Sequence, residues 1–349
     1  MDTSNVPQSE VATPAETYRE PAAQKKRHPL LRIIIASGQQ LVRSRPLLLL
    51  VLIVLLSVCM AYFYPISFLS LDNFAAVLLN AAQYGILAVG MSILMIGGVF
   101  DLSIGATLAL SGVVVAILIA NLNVPVPLAI LIALAVGGLA GLLNGLIVTR
   151  IRINALITTL ATTGIYRGIT QLISGTGVSP ISDNFAQVGQ SVWLGFQSPF
   201  WVMVIVVAAG TWAVGQTRFF RQYYYVGGNE RAARLSGIKT SRLMLIAFVI
   251  MGVLAGLAGI LNAARLNAAV VSAGIGIELQ IITATVLGGA SLKGGEGTVQ
   301  GAFLGVIFIA LVQNALIILD VSVFWQNIVI GLVLLAAVSL DRWKTVHRA

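Results

Sequence analysis

Four ionisable side chains fall inside otherwise apolar stretches of this sequence: Asp101, Arg167, Arg265 and Glu278. A charged group in hydrocarbon is costly unless it is paired or hydrated, so each of the four needs a physical reason. Arg167 and Glu278 have opposite signs and could form a salt bridge. The alternative is that both arginines extend along their methylene stems to the outer headgroups, leaving Glu278 at a solvated helix end. Thr159, Thr162, Thr163, Tyr166, Arg167 and Thr170 recur at spacings of three and four, which makes a polar stripe on one helix face. Lipid does not solvate such a face, so it meets either neighbouring helices or a hydrated path. Asn80, Gln83, Asn144, Asn262, Gln313 and Asn314 add neutral hydrogen-bonding groups, which suit a neutral, hydroxyl-rich solute better than an ion. The substrate-path candidates are therefore Asn80, Gln83, Asp101, Thr159, Thr163, Tyr166, Arg167 and Glu278.

Other chemistry is excluded by residue type. Cys59 is the single cysteine, and the two histidines, His28 and His347, lie in the tails, so no internal disulfide, Cys/His metal site or Cys-His pair can form inside the apolar region. No Gly-x4-Gly-Lys-Ser/Thr run occurs. The chain is expected to bind no cofactor or metal and to catalyse no reaction, with no catalytic residues and no ATP site of its own.

The most informative polar segment is the loop Thr217 to Arg242. Within it Asn229 is placed as an N-cap, Glu230 lies in the first turn and pairs with Arg234 at i and i+4, and Gly237 supplies a C-terminal stop. This predicts one short helix between two membrane spans, whose small face, Ala232 and Ala233, would fit a groove on another protein.

The elements that must position these residues follow from composition. Of the 349 residues 58% are apolar and 9% charged, too few ionised groups to cover a soluble surface. The fold class is an all-α polytopic membrane protein. Apolar runs of crossing length lie at 46–64, 75–98, 103–121, 126–149, 155–173, 199–216, 243–264, 278–291, 298–318 and 324–340, which predicts about ten transmembrane helices. Placing both termini in the cytoplasm puts 19 of the 21 Lys and Arg residues on the inside, leaving only Arg167 and Arg265 elsewhere. Residues 1–29 read as a solvated, disordered cytoplasmic tail, 30–45 as a basic juxtamembrane segment, 46–340 as the transmembrane domain with its loop 217–242, and 341–349 as a cytoplasmic tail.

Two segments depart from plain spans. Ile277 to Ser291 is too short to cross alone, and Ala268 to Gly276 before it is small, apolar and glycine-bearing, as a re-entrant stretch would be. Gly97-Gly98-Val99-Phe100-Asp101-Leu102-Ser103 separates two apolar helices without a polar loop. Its double glycine is echoed at Gly288-Gly289, so Gly97, Gly98, Gly288 and Gly289 are the predicted helix breaks. Gly137, Gly141 and Gly145, with Gly252 and Gly256, are spaced for close helix packing.

Glu230-x-Ala232-Ala233-x3-Gly237 resembles the Glu-Ala-Ala-x3-Gly motif of ABC importer permeases, whose coupling helix docks on the ATPase subunit. Gly97 to Gly105 is similar to the Gly-Gly-Ile-Asp-Leu-Ser-Val-Gly signature of the ribose-type sugar permeases, a branch shared with branched-chain amino-acid permeases. Asn144-Gly145-Leu146-Ile147-Val148, Tyr166-Arg167-Gly168, Glu278-Leu279-Gln280 and Val286 to Leu292 match further segments in the family's order. The chain departs from the pattern at Asn154-Ala155, where a proline is usual, and at Gln280, where an aspartate is usual. The resemblance implies two permease subunits, identical or mixed, two cytoplasmic ATPase subunits that use ATP, and an extracytoplasmic solute-binding protein delivering a monosaccharide, all at a bacterial inner membrane and its lipid, with no nucleic acid. Two alternatives are an ion-coupled carrier with Asp101 or Glu278 as ion site and an ABC permease for an amino acid.

Overall fold

The computed structural model describes residues 45–346. The tail 1–29 and almost all of the basic segment lie outside the described residues. A helix occupies each of the ten predicted segments. In chain order they are α1 (Arg45–Phe63), a short α2 (Pro65–Phe68), α3 (Leu71–Ile96), α4 (Ile104–Ala120), α5 (Val126–Leu146), α6 (Ala155–Ser174), α7 (Asp183–Gln190), α8 (Ser198–Gln216), α9 (Arg218–Gly228), α10 (Glu230–Leu235), α11 (Thr240–Leu266), α12 (Ile277–Leu287), α13 (Val299–Ile318) and α14 (Val323–Val346). Six of these elements, α1, α3, α5 with its continuation, α8, α11 and α13, are long and apolar enough to cross a membrane. α6 has the length, but its threonine stripe dilutes its hydropathy.

Helix ends follow local chemistry. Ser70 caps α3 by accepting the Asn73 N–H at 3.2 Å, and Asn154 caps α6 by accepting the Leu156 N–H at 2.9 Å, so the missing proline leaves a working N-terminus there. α5 loosens into one π-helical turn, Ile147–Ile151, that ends on Arg152 in the left-handed region at φ 66°.

α3 and α11 form the centre. α11 packs along α5, α4 and α3, and α3 in turn contacts α8, α13 and α12. Glycines permit the closest of these approaches. A Cβ built on Gly137 would lie 2.5 Å from the Gly252 carbonyl oxygen, and Gly141 faces the Phe248 carbonyl with no room for a side chain. The predicted packing glycines thus bring α5 and α11 backbone to backbone.

The stretch after α11 is not a span. Asn267 turns left-handed at φ 47°, Ala269–Val270 pairs antiparallel with Gly177–Val178, and the chain then loops to α12. α12 has only 11 residues. At helical rise that is about 16 Å, half of a ~30 Å hydrocarbon core. It ends at Leu287, short of the Ser291 end expected from the sequence, because the glycines that follow stop it. The segment Ser174 to Ser198 carries α7 against α11 and a tight hairpin, Val192–Trp193 paired with Phe196–Gln197 across Leu194 and Gly195.

Candidate functional site

The loop Thr217 to Arg242 folds as two helices, not one. α10 is capped at both ends: Asn229 Oδ1 accepts the Ala232 N–H at 3.0 Å, and Gly237, at φ +83°, closes the other end. There the Ile238 N–H reaches the Ala233 carbonyl and the Gly237 N–H the Arg234 carbonyl, both at 3.1 Å. Only a residue tolerant of the left-handed region makes that closure cheaply. Glu230 accepts from Arg234 at 2.5 Å and from the Thr240 hydroxyl at 3.2 Å, tying α10 to the first turn of α11. Ala232 is exposed, but Ala233 is 4% exposed and belongs to the protein's own core. The small face is therefore split: Ala233 seats α10 on its own bundle, and Ala232 with Leu235, 85% exposed, faces away.

α9 escaped the sequence reading, although Phe219, Phe220, Tyr223 and Tyr224 recur at helical spacing with Arg218 and Arg221 beside them. Thr217 Oγ1 caps it by accepting the Phe220 N–H at 3.3 Å. Tyr223 Oη donates to the Leu243 carbonyl at 2.7 Å and Tyr224 Oη to the Gly297 carbonyl at 2.8 Å. Burial pushes both phenols above the ordinary tyrosine value, so both stay protonated donors at neutral pH.

The two glycine breaks end their helices in the same way. Gly97 and Gly98 finish α3, with Gly98 at φ 87°; its N–H bonds the Met95 carbonyl and the Val99 N–H the Leu94 carbonyl. Gly288 and Gly289 finish α12, with Gly289 at φ 105° and the matching bonds from Gly289 to Val286 and Ala290 to Thr285. Gly97 and Gly98 open onto a cleft of about 500 Å3 that Gly228, Asn229, Glu230 and Arg152 also line.

Asp101 follows the first break and is 2% exposed. Its Oδ1 accepts the Ser103 N–H at 2.7 Å and the Ser103 hydroxyl at 2.6 Å. Asn144 Nδ2 donates to Ser103 Oγ at 2.8 Å, and Tyr166 Oη lies 2.9 Å from the Ala140 carbonyl and 3.2 Å from Asn144 Oδ1. These partners join the α3–α4 break to α5 and α6 through neutral groups. Among the described residues, no cation faces the Asp101 carboxylate in a salt bridge; the one side-chain ion pair is Glu230–Arg234.

Arg167 and Glu278 do not form the salt bridge considered above. The Arg167 guanidinium donates to the carbonyls of Val271, at very close range, and of Ala273, at 2.7 Å, and so holds the loop that precedes α12. Glu278 instead lies against the start of α4, where a Cβ on Gly105 would be 3.0 Å from Glu278 Oε2. α4 and α12 begin back to back: a Cβ on Gly274 would be 2.9 Å from the Gly105 carbonyl oxygen.

The threonine stripe of α6 faces protein. Thr159 is fully buried and donates to the Ala155 carbonyl at 2.9 Å. Thr163 reaches the Thr159 carbonyl at 2.7 Å and the Leu102 carbonyl at 3.1 Å. Gln83 lines, with Asn262 and Arg265, a cavity of about 20 Å3, room for one water. Asn80 is exposed on α3. The eight substrate-path candidates therefore fall into separate groups: Asp101 with Tyr166 and the nearby Thr159 and Thr163, Arg167 with the pre-α12 loop, Glu278 at α4, Gln83 beside α11, and Asn80 outside.

Residues 73–338 match the family described as the branched-chain amino acid transport system permease component. Among curated proteins, the ribose import permease protein of Haemophilus influenzae is 38% identical over 282 residues, 79% of this chain and 87% of that one. The L-arabinose transport system permease protein of Escherichia coli strain K12 is 38% identical over 297 residues, 85% of this chain and 90% of its own. The autoinducer 2 import system permease protein of Photorhabdus luminescens is 34% identical over 276 residues, 79% and 83% of the two. With the family match spanning the glycine breaks, the Asp101 network and the capped loop helix, and with relatives 38% identical over most of the chain, the chain belongs to the ribose-type branch of this permease family, the multi-pass inner-membrane permease subunits of ABC importers.

Proposed function

We propose that this chain is the membrane subunit of an importer for a monosaccharide or closely related small polyol, delivered by an extracytoplasmic binding protein and driven by a separate ATPase. It makes and breaks no covalent bond, holds no cofactor and leaves ATP to its partner. Ten helical segments cross or enter the bilayer with both ends inside, and a second permease subunit, identical or a paralogue, completes the pathway.

The observation that carries this reading is the mounting of α10. It is capped at both ends, anchored by Ala233 and Glu230, and otherwise presents its surface outward beside the cleft onto which the first glycine break opens. A motor that closes on α10 needs only different contacts in its two nucleotide states to bias the bundle between two arrangements. The relatives are named for ribose, L-arabinose and autoinducer 2 import, which supports a small hydroxylated solute, as do the neutral partners around Asp101. The test is gentle purification from membranes with soluble partners present. An ATPase subunit should copurify, and Glu230→Ala combined with Gly237→Val should lose both it and uptake. Uptake that persists without any bound ATPase and follows an ion gradient would overturn the proposal.

A further inference from the structure

α10 touches the bundle at few points, whereas α9, which runs directly into it through Asn229, is fastened to three separate parts. Tyr223 ties it to α11 through the Leu243 carbonyl, and Tyr224 to the α12–α13 connection through the Gly297 carbonyl. Its last turn bears on the end of α3: Gly227 has the Ile96 carbonyl and the Gly295 N–H against its Cα, leaving no space for a Cβ. The Gly295 N–H itself donates to the Ile96 carbonyl at 2.8 Å. A Cβ on Gly294 would be 2.7 Å from Gly98 Cα and 2.9 Å from Gly227 Cα, and one on Gly295 would be 2.9 Å from Gly228 Cα. Three glycine pairs, 97–98, 227–228 and 294–295, thus meet backbone to backbone beside the cleft.

We propose that α9 is the element that carries movement of α10 into the spans, with Gly227 as its bearing on the ends of α3 and the α12–α13 connection and Tyr223 and Tyr224 as its ties. This rests on the coupling reading above and adds the route. Contact without side chains transmits displacement directly, because no rotamer can absorb it. Tyr223, Tyr224 and Gly227 are positioning residues; none need touch solute or nucleotide.

The experiment uses the whole complex in vesicles, with Cys59→Ser as background and Ser272→Cys as a reporter in the exposed pre-α12 loop. Labelling by a membrane-impermeant maleimide is followed with and without ATP, together with ATP hydrolysis. In the otherwise unaltered complex ATP should change the labelling rate by about 5-fold or more, the lower range of allosteric coupling. Gly227→Ala and Tyr224→Phe should keep the ATPase bound and hydrolysing while that change falls below about 2-fold. Wild-type modulation in both variants would overturn the α9 route and leave the lever reading standing. No modulation in the parent complex would overturn both. Should Gly227→Ala fail to assemble, Tyr224→Phe, which removes one hydroxyl, decides alone. A thermal unfolding scan separates the readings further, since a merely stabilising role lowers the melting temperature without uncoupling hydrolysis from labelling.

Discussion

Asp101 is a buried acid served by neutral donors, and this distinguishes two kinds of transporter. Asparagine at 101 keeps an acceptor for the Ser103 N–H and hydroxyl, so Asp101→Asn should leave uptake within about 3-fold of normal, a difference under 1 kcal/mol. Asp101→Leu orphans both donors and should cost about 2–4 kcal/mol of stability, read as a lower melting temperature in detergent. If Asp101→Asn abolishes uptake while the protein stays folded, the carboxylate carries an ion and the importer reading fails. Arg167 makes the opposite case, since a single nitrogen, Nη1, donates to both loop carbonyls. Arg167→Ala should release both carbonyls, raising maleimide labelling at Ser272→Cys and lowering the maximal rate of uptake more than the apparent affinity. The isolation of both residues was visible in the sequence, but their partners were not. Asn144 lies 41 residues from Ser103, and the acceptors of Arg167 are backbone carbonyls, which every residue carries and no composition reveals.

Elements were legible where one physical signal dominated. Apolar runs located a helix in each of ten segments, six of them long and apolar enough to cross a membrane, and Asn229 with Gly237 marked α10 because caps are local chemistry. α9 was missed because its signal is aromatic periodicity in a polar loop, judged by charge rather than by spacing. Ala233 was given an outward role because which side of a six-residue helix is buried depends on what lies beneath it. The glycines of α5 were read correctly, since Gly-x3-Gly has few other uses in an apolar helix. Gly141→Val should therefore destabilise the protein by about 3 kcal/mol or prevent assembly. Gly168→Ala on α6, where nothing lies within 4 Å of a built Cβ, should be neutral or slightly stabilising in the same unfolding assay.

For the whole molecule, the proposed direction across the membrane rests on the asymmetry of lysine and arginine, which helix geometry alone does not supply. Leu235 on α10 and Leu194 at the hairpin tip, 85% and 87% exposed, are predicted to lie on opposite sides. In a Cys59→Ser background, Leu194→Cys should react with an impermeant maleimide added outside intact cells, and Leu235→Cys only after the membrane is opened. Labelling of both from outside would invert the topology and with it the site of the motor.

Inside the bundle, polarity is largely spent within single helices. Ser92 on α3 and Thr283 and Thr285 on α12 are buried, yet each donates to the carbonyl four residues back in its own helix, at 2.6 Å in every case. Among the described residues, no side-chain hydrogen bond crosses from α3 to α12. The bond from the Gly295 N–H to the Ile96 carbonyl joins the end of α3 not to α12 but to the connection that follows it. Along their flanks, then, α3 and α12 are held to each other by apolar contact alone, which resists separation but sets no direction against sliding.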